Sequence, residues 1–266
     1  MTIARLQDRA VFRVAGADAH DFLQGLLTQD LALLGPATPL YAGLLSPQGK
    51  ALFDMMLFAD AGDMLIDVAA DRAVSLAKRL SLYRLRKAVT IEPVPLAVFA
   101  GWDGDAGSHP ADPRLAALGS RWIAAPAGPD GSALYAAHRQ AAGVPGSAEI
   151  GEDELLWLET GADLLGGVSF TKGCYVGQEN TARMHHRDKV RRRLVPISFN
   201  GDAGDGIVRD AAGRSTGTLR GIGFAHLRLD AAGGPLQVGD SVVTVRRPTW
   251  LAAALAAALP AGPAAA

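Results

Sequence analysis

The strongest constraint on the fold is a change of hydrophobic period near residue 35. From Asp18 to about Leu34, Phe22, Leu23, Leu26, Leu27 and Leu31 recur at helical spacing. That pattern predicts one helix, capped by Asp18 and stopped by Gly35-Pro36. Beyond it, residues 38–45, 50–59 and 64–69 read as strands, parted by Ser46-Pro47-Gln48-Gly49 and Asp60-Ala61-Gly62-Asp63. A second helix is expected over 71–85 with Val74, Ala77 and Leu80 inward, leaving Arg84, Arg86 and Lys87 on one short stretch. Strands at 88–92 and 96–102 follow. Strands and helices are segregated, so the class is α+β and a strict βαβ alternation is excluded.

Past a Gly/Pro/Asp-rich connection at 103–120, strands are expected at 121–125 and 132–138, then a helix over 152–160. Short strands at 194–199, 205–209, 216–224 and 241–246, punctuated by Gly and Asp, indicate a small β-barrel or sandwich. A chain of 266 residues suggests two or three domains. The expected division is 1–189, 190–249 and an Ala-rich tail over 250–266. Trp250 and Pro260 are about ten residues apart, a helical rise of about 15 Å, or half a bilayer core. The tail therefore reads as a short helix, not a membrane anchor.

Lys+Arg 26 against Asp+Glu 27 gives a net charge of −1, so any anion contact must come from a local basic patch. Cys174 is the sole cysteine. It excludes an intramolecular disulfide and a self-contained cluster of four thiolates. A lone thiol suits a reducing compartment. With no recognisable targeting pattern in MTIARLQDRAVFRVAG, the expected location is cytoplasmic.

The most informative stretch is Phe170-Thr171-Lys172-Gly173-Cys174-Tyr175-Val176-Gly177-Gln178-Glu179. A lysine two positions from a thiol can favour the thiolate, which points to a reactive cysteine. A buried, inert thiol is the competing reading. The basic run Arg183–Arg193 can be a solvated face, an anion site or a nucleic-acid patch; without interleaved aromatic residues, nucleic acid ranks last. Other templates fail. There is no phosphate-binding P-loop, and Gly213-Arg214-Ser215-Thr216-Gly217 falls in a turn between strands rather than at a nucleophile elbow.

Lys-Gly-Cys-Tyr-Val-Gly-Gln-Glu at 172–179 resembles the signature of the YgfZ-type folate-binding proteins, relatives of the glycine-cleavage aminomethyltransferase that act in iron–sulfur cluster assembly. The run GGVSFTKGCYVGQENTARMHH is closest to the mitochondrial iron–sulfur assembly branch. Asp18–Asp30, Leu44–Lys50 with Asp54, and Tyr83-Arg84-Leu85-Arg86 extend the likeness along the chain. The resemblance implies two interleaved aminomethyltransferase-like α+β lobes that bind folate, and a small C-terminal β-barrel. It implies Cys174 as the functional thiol and transient iron or sulfur ligand, with Lys172 beside it. It implies tetrahydrofolate as cofactor, with Glu159 on the pterin and Asp54, Gly173, Gln178, Glu179 and Arg183 as further contacts. Iron–sulfur assembly or client proteins would be the partners, and a transient cluster would be shared with one. The alternative is a folate-dependent one-carbon transferase or demethylase. Against turnover, the transferases' paired hairpin aspartates are reduced here to Asp54 alone.

Overall fold

In a computed structural model of the chain, residues 1–104, 107–187, 190–221 and 223–258 are described. The elements in order are β1 (Thr2–Leu6), β2 (Arg9–Ala15), α1 (Ala19–Gln24), β3 (Leu40–Leu45), β4 (Ala51–Asp60), β5 (Asp63–Ala69) and α2 (Ala73–Arg84). Then come β6 (Thr90–Pro93), β7 (Ala97–Trp102), β8 (Ser120–Ala124), α3 (Ser132–Ala141), α4 (Ser147–Ile150) and α5 (Gln178–His186). The chain continues through β9 (Arg192–Ser198), β10 (Ile207–Asp210), β11 (Ser215–Leu219), β12 (Phe224–Arg228), β13 (Leu236–Val238), β14 (Ser241–Val245) and α6 (Thr249–Ala258).

Two antiparallel sheets and a barrel result. One sheet has the order β3-β4-β5-β2-β6, the other β1-β7-β8, and β10-β11-β12-β9-β14-β13 close into a six-stranded barrel. The lobes interleave at the start of the chain. β1 and β2 are separated only by Gln7 and Asp8, yet β1 pairs with β7 in register Ala4↔Ala100 while β2 pairs with β5 and β6. Strand β4 is buried on both faces. Phe53, Met55 and Leu57 pack around α1, and Ala51, Met56 and Phe58 face the second lobe. By strand alternation Asp54 shares the face of Met56. α6 seats Leu251 and Leu255 on the barrel core, and no helix among the described residues is long and apolar enough to cross a membrane.

Several local expectations are corrected. The helix expected over 18–34 ends at Gln24, with a single 3-10 turn at Leu31–Leu33. Residues between them are drawn to β3 instead: Thr28 N donates to Gly43 O at 3.1 Å, and Thr28 Oγ1 donates to Gly167 O at 2.6 Å. Asp18 does not cap α1; its carboxylate accepts from Ala88 N at 2.7 Å. In α2 the inward residues are Ala73, Leu76 and Leu80, and Val74 is exposed. Residues 132–138 form helix α3, not a strand. Their Ala-rich run favours helix, and Asp130 starts it by accepting from Ser132 N and Oγ. The helix expected over 152–160 is a 3-10 turn at Trp157–Thr160. The strand expected over 216–224 divides into β11 and β12. The boundary placed at 189/190 and the end of the tail lie outside the described residues.

A buried ion triad joins the two sheets. Asp67 of β5, fully buried, accepts from Arg9 Nε at 2.5 Å and from Arg121 Nε of β8 at 2.7 Å. Burial alone would push its carboxyl up, but Arg121 and Arg9 outweigh burial and hold it below the ordinary value. Asp67→Asn leaves two buried guanidinium groups uncompensated and is expected to cost about 3–5 kcal/mol at pH 7. A carboxylate whose native pKa is depressed contributes fully above its unfolded pKa, near 3.9, and loses that contribution as pH falls through the native value. Urea unfolding at pH 7 and pH 3 checks this: the gap between wild type and variant should narrow at the lower pH.

Candidate functional site

A cavity of about 510 Å³ lies between the two sheets and is closed on one side by α3 and α4. Leu6, Met56, Ala69 and Ala136 give it apolar walls, and Arg9, Arg72, Arg114, Arg121 and Arg139 line it as well. Every one of these arginines is engaged. Arg9 and Arg121 hold Asp67, and Arg114 binds Asp112 with two nitrogens and donates to Tyr135 Oη at 2.7 Å. Arg139 pairs with Glu149 at 3.1 Å, and Arg72 pairs with Glu152 at 2.8 Å and donates to Leu52 O. Asp112, like Asp67, is held below its ordinary range: burial would raise it, and Arg114 overrides burial.

Asp54 is the exception on this wall. It stands opposite Gly43 in the β3–β4 ladder, is 7% exposed, and lines the cavity. Among the described residues no hydrogen bond or ion pair reaches its carboxylate. The carboxylate oxygens are not sealed in the interior but open to the cavity, so their donors come from whatever fills it, solvent or ligand. Asp8 and Asp71 also line the cavity but are exposed to water.

The Cys174 loop lies elsewhere, and Cys174 is exposed. Lys172 is buried, and its ammonium donates to Gln24 O at 2.7 Å, Leu27 O at 2.7 Å and Gln29 O at 2.8 Å. An ammonium has three hydrogens, so none remains for the thiol. The expectation that Lys172 directly favours the Cys174 thiolate therefore gives way to an anchoring role that ties the loop to the end of α1. Burial pushes this lysine down to about 8. Gly177 starts α5 at φ +83°, and a Cβ there would meet Ser46 O at 2.5 Å, so the helix begins pressed against the β3–β4 turn. Asn180 completes the contact by donating to Gln48 O at 2.7 Å. A Cβ on Gly173 would meet nothing, so that glycine answers no packing demand.

The residues expected to form one folate site are thus distributed. Asp54 is in the cavity. Glu179 and Arg183 line a surface hollow of about 290 Å³ with Pro47, Gln48 and Asn180. Gly173 and Gln178 belong to the same outer loop and helix start. Glu159 is not among the residues lining the cavity. Its carboxylate accepts from Leu156 N at 3.2 Å, and His226 Nε2 of the barrel lies 3.3 Å away. The Arg–Asp network around Asp67 and Asp112 had no sequence signal, because its members are dispersed between residues 9 and 121.

The fold is aminomethyltransferase-like. It superposes on the solved glycine cleavage system aminomethyltransferase T from Bartonella henselae with a TM-score of 0.74 over 94% of this chain and 86% of that one, at 14% identity. Residues 191–253 match the sequence family described as the CAF17 C-terminal beta-barrel domain. The iron–sulfur cluster assembly factor IBA57, mitochondrial, of Homo sapiens is 35% identical, covering 89% of this chain and 80% of that protein. Its counterpart in Mus musculus is 33% identical, covering 94% and 85%. A homolog in Coccidioides immitis is 32% identical, covering 73% and 56%. The chain belongs to the IBA57 family of iron–sulfur cluster assembly factors.

These relatives correct the expected cytoplasmic location, since they are named as mitochondrial proteins and point to the mitochondrion instead. A lone thiol reports a reducing environment and does not distinguish one reducing compartment from another.

Lys172→Met is expected to lower unfolding stability by about 2–4 kcal/mol, because three carbonyls lose their donor. The alkylation rate of Cys174 should stay within about twofold of wild type. A large fall in that rate with unchanged stability would restore a direct action of Lys172 on the thiol.

Proposed function

We propose that this chain is an assembly factor for iron–sulfur proteins that binds tetrahydrofolate in the cavity between its sheets and acts through Cys174. The observation that carries the folate reading is Asp54, a buried carboxylate without protein donors on the wall of a cavity of about 510 Å³. Cavities of roughly 300–1,000 Å³ suit ligands of this size. The 2-amino-pyrimidinone edge of a pterin offers adjacent N–H donors, and a carboxylate accepts two of them. Leu6, Met56 and Ala136 give the ring apolar surface, and Tyr135 and the paired arginines fix the polar rim. Glu159 has no part in this reading, since it does not line the cavity.

The iron–sulfur role rests on the family. Cys174 is exposed on the anchored loop, where a partner can reach it. One thiolate supplies one ligand, so a cluster handled here is cargo whose other ligands come from the partner. Aminomethyl transfer is not included, because the β3–β4 hairpin offers one acid to the cavity, not two.

Titration calorimetry with tetrahydrofolate tests the cavity. Micromolar binding is expected for wild type, with Asp54→Asn weaker by about 10–100-fold, the loss of a charge-assisted contact worth about 1.5–3 kcal/mol. Glu159→Ala should bind as wild type does. Equal affinity in Asp54→Asn would refute the assignment. For the thiol, Cys174→Ser should fail to restore [4Fe–4S] enzyme activity in a strain lacking this protein; full restoration would remove Cys174 from the mechanism.

A further inference from the structure

Neither the cavity nor the Cys174 loop uses the outer face of α2. From Arg72 to Ile91 the chain carries six cations and no acid. Lys78, Arg79, Arg86 and Lys87 make no ion pair among the described residues. On the same outward side α2 presents Val74, Lys78 and Leu82, at helical spacing, and Leu85 follows at its end. Val74 is 80% exposed, Leu82 65% and Leu85 85%. Leu85 also has φ +49° with ψ −115°, a sparsely populated positive-φ conformation that costs a non-glycine residue roughly 1 kcal/mol or more. An unpaired basic helix carrying exposed leucines is the kind of surface that marks an interaction site.

This patch is coupled to the thiol through α1. At one end of α1, Asp18 accepts from Ala88 N, and a Cβ on Gly16 would meet Ala88 O at 2.2 Å, so the basic turn is pressed against it. At the other end, Gln24 O and Leu27 O hold Lys172, two residues before Cys174. The helix between them has six residues, a rise of about 9 Å. The basic turn and the thiol loop are thus anchored at opposite ends of one short helix.

We propose that the outer face of α2 with the turn at Arg84–Lys87 docks an acidic surface of a partner protein. The cations face its carboxylates, and Leu82 and Leu85 provide the apolar contact. Charge complementarity selects the partner's sign: residues 72–91 contain no acid, and the carboxylate that meets the turn, Asp18, is bonded to Ala88 N and pairs with none of the cations among the described residues. A lipid surface fits less well, because Lys78 interrupts the apolar line between Val74 and Leu82 on the face that would have to enter the membrane. Nucleic acid fits less well, because the exposed apolar side chains are aliphatic and give bases no stacking platform. That this partner also meets Cys174 rests on the cluster-assembly reading above; the docking surface itself does not.

The test is photo-cross-linking in cells, with p-benzoylphenylalanine replacing Leu85 and, as control, replacing Val242 on the barrel. The expected result is a protein adduct at position 85, joined through a peptide rich in Asp and Glu. Its yield should fall at least tenfold in Lys78→Glu/Arg86→Glu/Lys87→Glu, and measurably in Lys87→Glu alone, with unchanged thermal midpoints. An adduct with phospholipid or nucleic acid, an adduct indifferent to charge reversal, or no yield above the Val242 control would overturn the proposal. Tetrahydrofolate titration of the same variants keeps the two readings apart, because the cavity lies away from these cations.

Discussion

The arrangement of this protein depends on one carboxylate held by two guanidinium groups. Asp67 lies in the interior of one sheet, Arg121 comes from the other, and Arg9 comes from the strand that follows the crossover between them. Each charge is affordable in the interior only because the others are there. The triad fixes how the two sheets face each other, and so fixes the space between them. Apolar packing alone would tend to close such a gap. Arginines already committed to Asp67, Asp112 and Glu149 keep it lined and open.

Within that frame, Asp54 and Cys174 occupy different environments. Asp54 is on the inner wall, where low exposure makes a donor-bearing ligand valuable. Cys174 is on the outside, on a loop whose position is set by a buried lysine and by a helix start wedged against the β3–β4 turn. The same hairpin carries both: its turn receives Gly177 and Asn180, and its second strand presents Asp54. Occupancy of the cavity and placement of the thiol loop thus share one structural element.

Much of this frame was legible in the residues. The hairpins around Ser46–Gly49 and Asp60–Asp63 are where turn chemistry placed them, and the C-terminal strands form a barrel as their spacing suggested. What was not legible depended on contacts between distant segments. Residues 25–34 have a helical pattern but are held by Gly43 and Gly167, so the helix stops at six residues. Residues 132–138 read as a strand until their helix-favouring alanines are weighed; they open the helix Ser132–Ala141. The octapeptide around Cys174 stood out in the residues, but two positions of sequence separation do not make a contact: Lys172 turns away from the thiol and into the carbonyls of Gln24, Leu27 and Gln29. β1 escaped notice because its partner, β7, is some ninety residues away.

The most direct test of the account is a crystal structure of the protein with tetrahydrofolate. The expected result is a pterin in the cavity between the sheets with its nitrogens about 2.7–3.1 Å from the Asp54 carboxylate oxygens, a normal hydrogen-bond distance. A pterin bound against Glu159, or in the hollow beside Glu179 and Arg183, with Asp54 still without a donor, would contradict it.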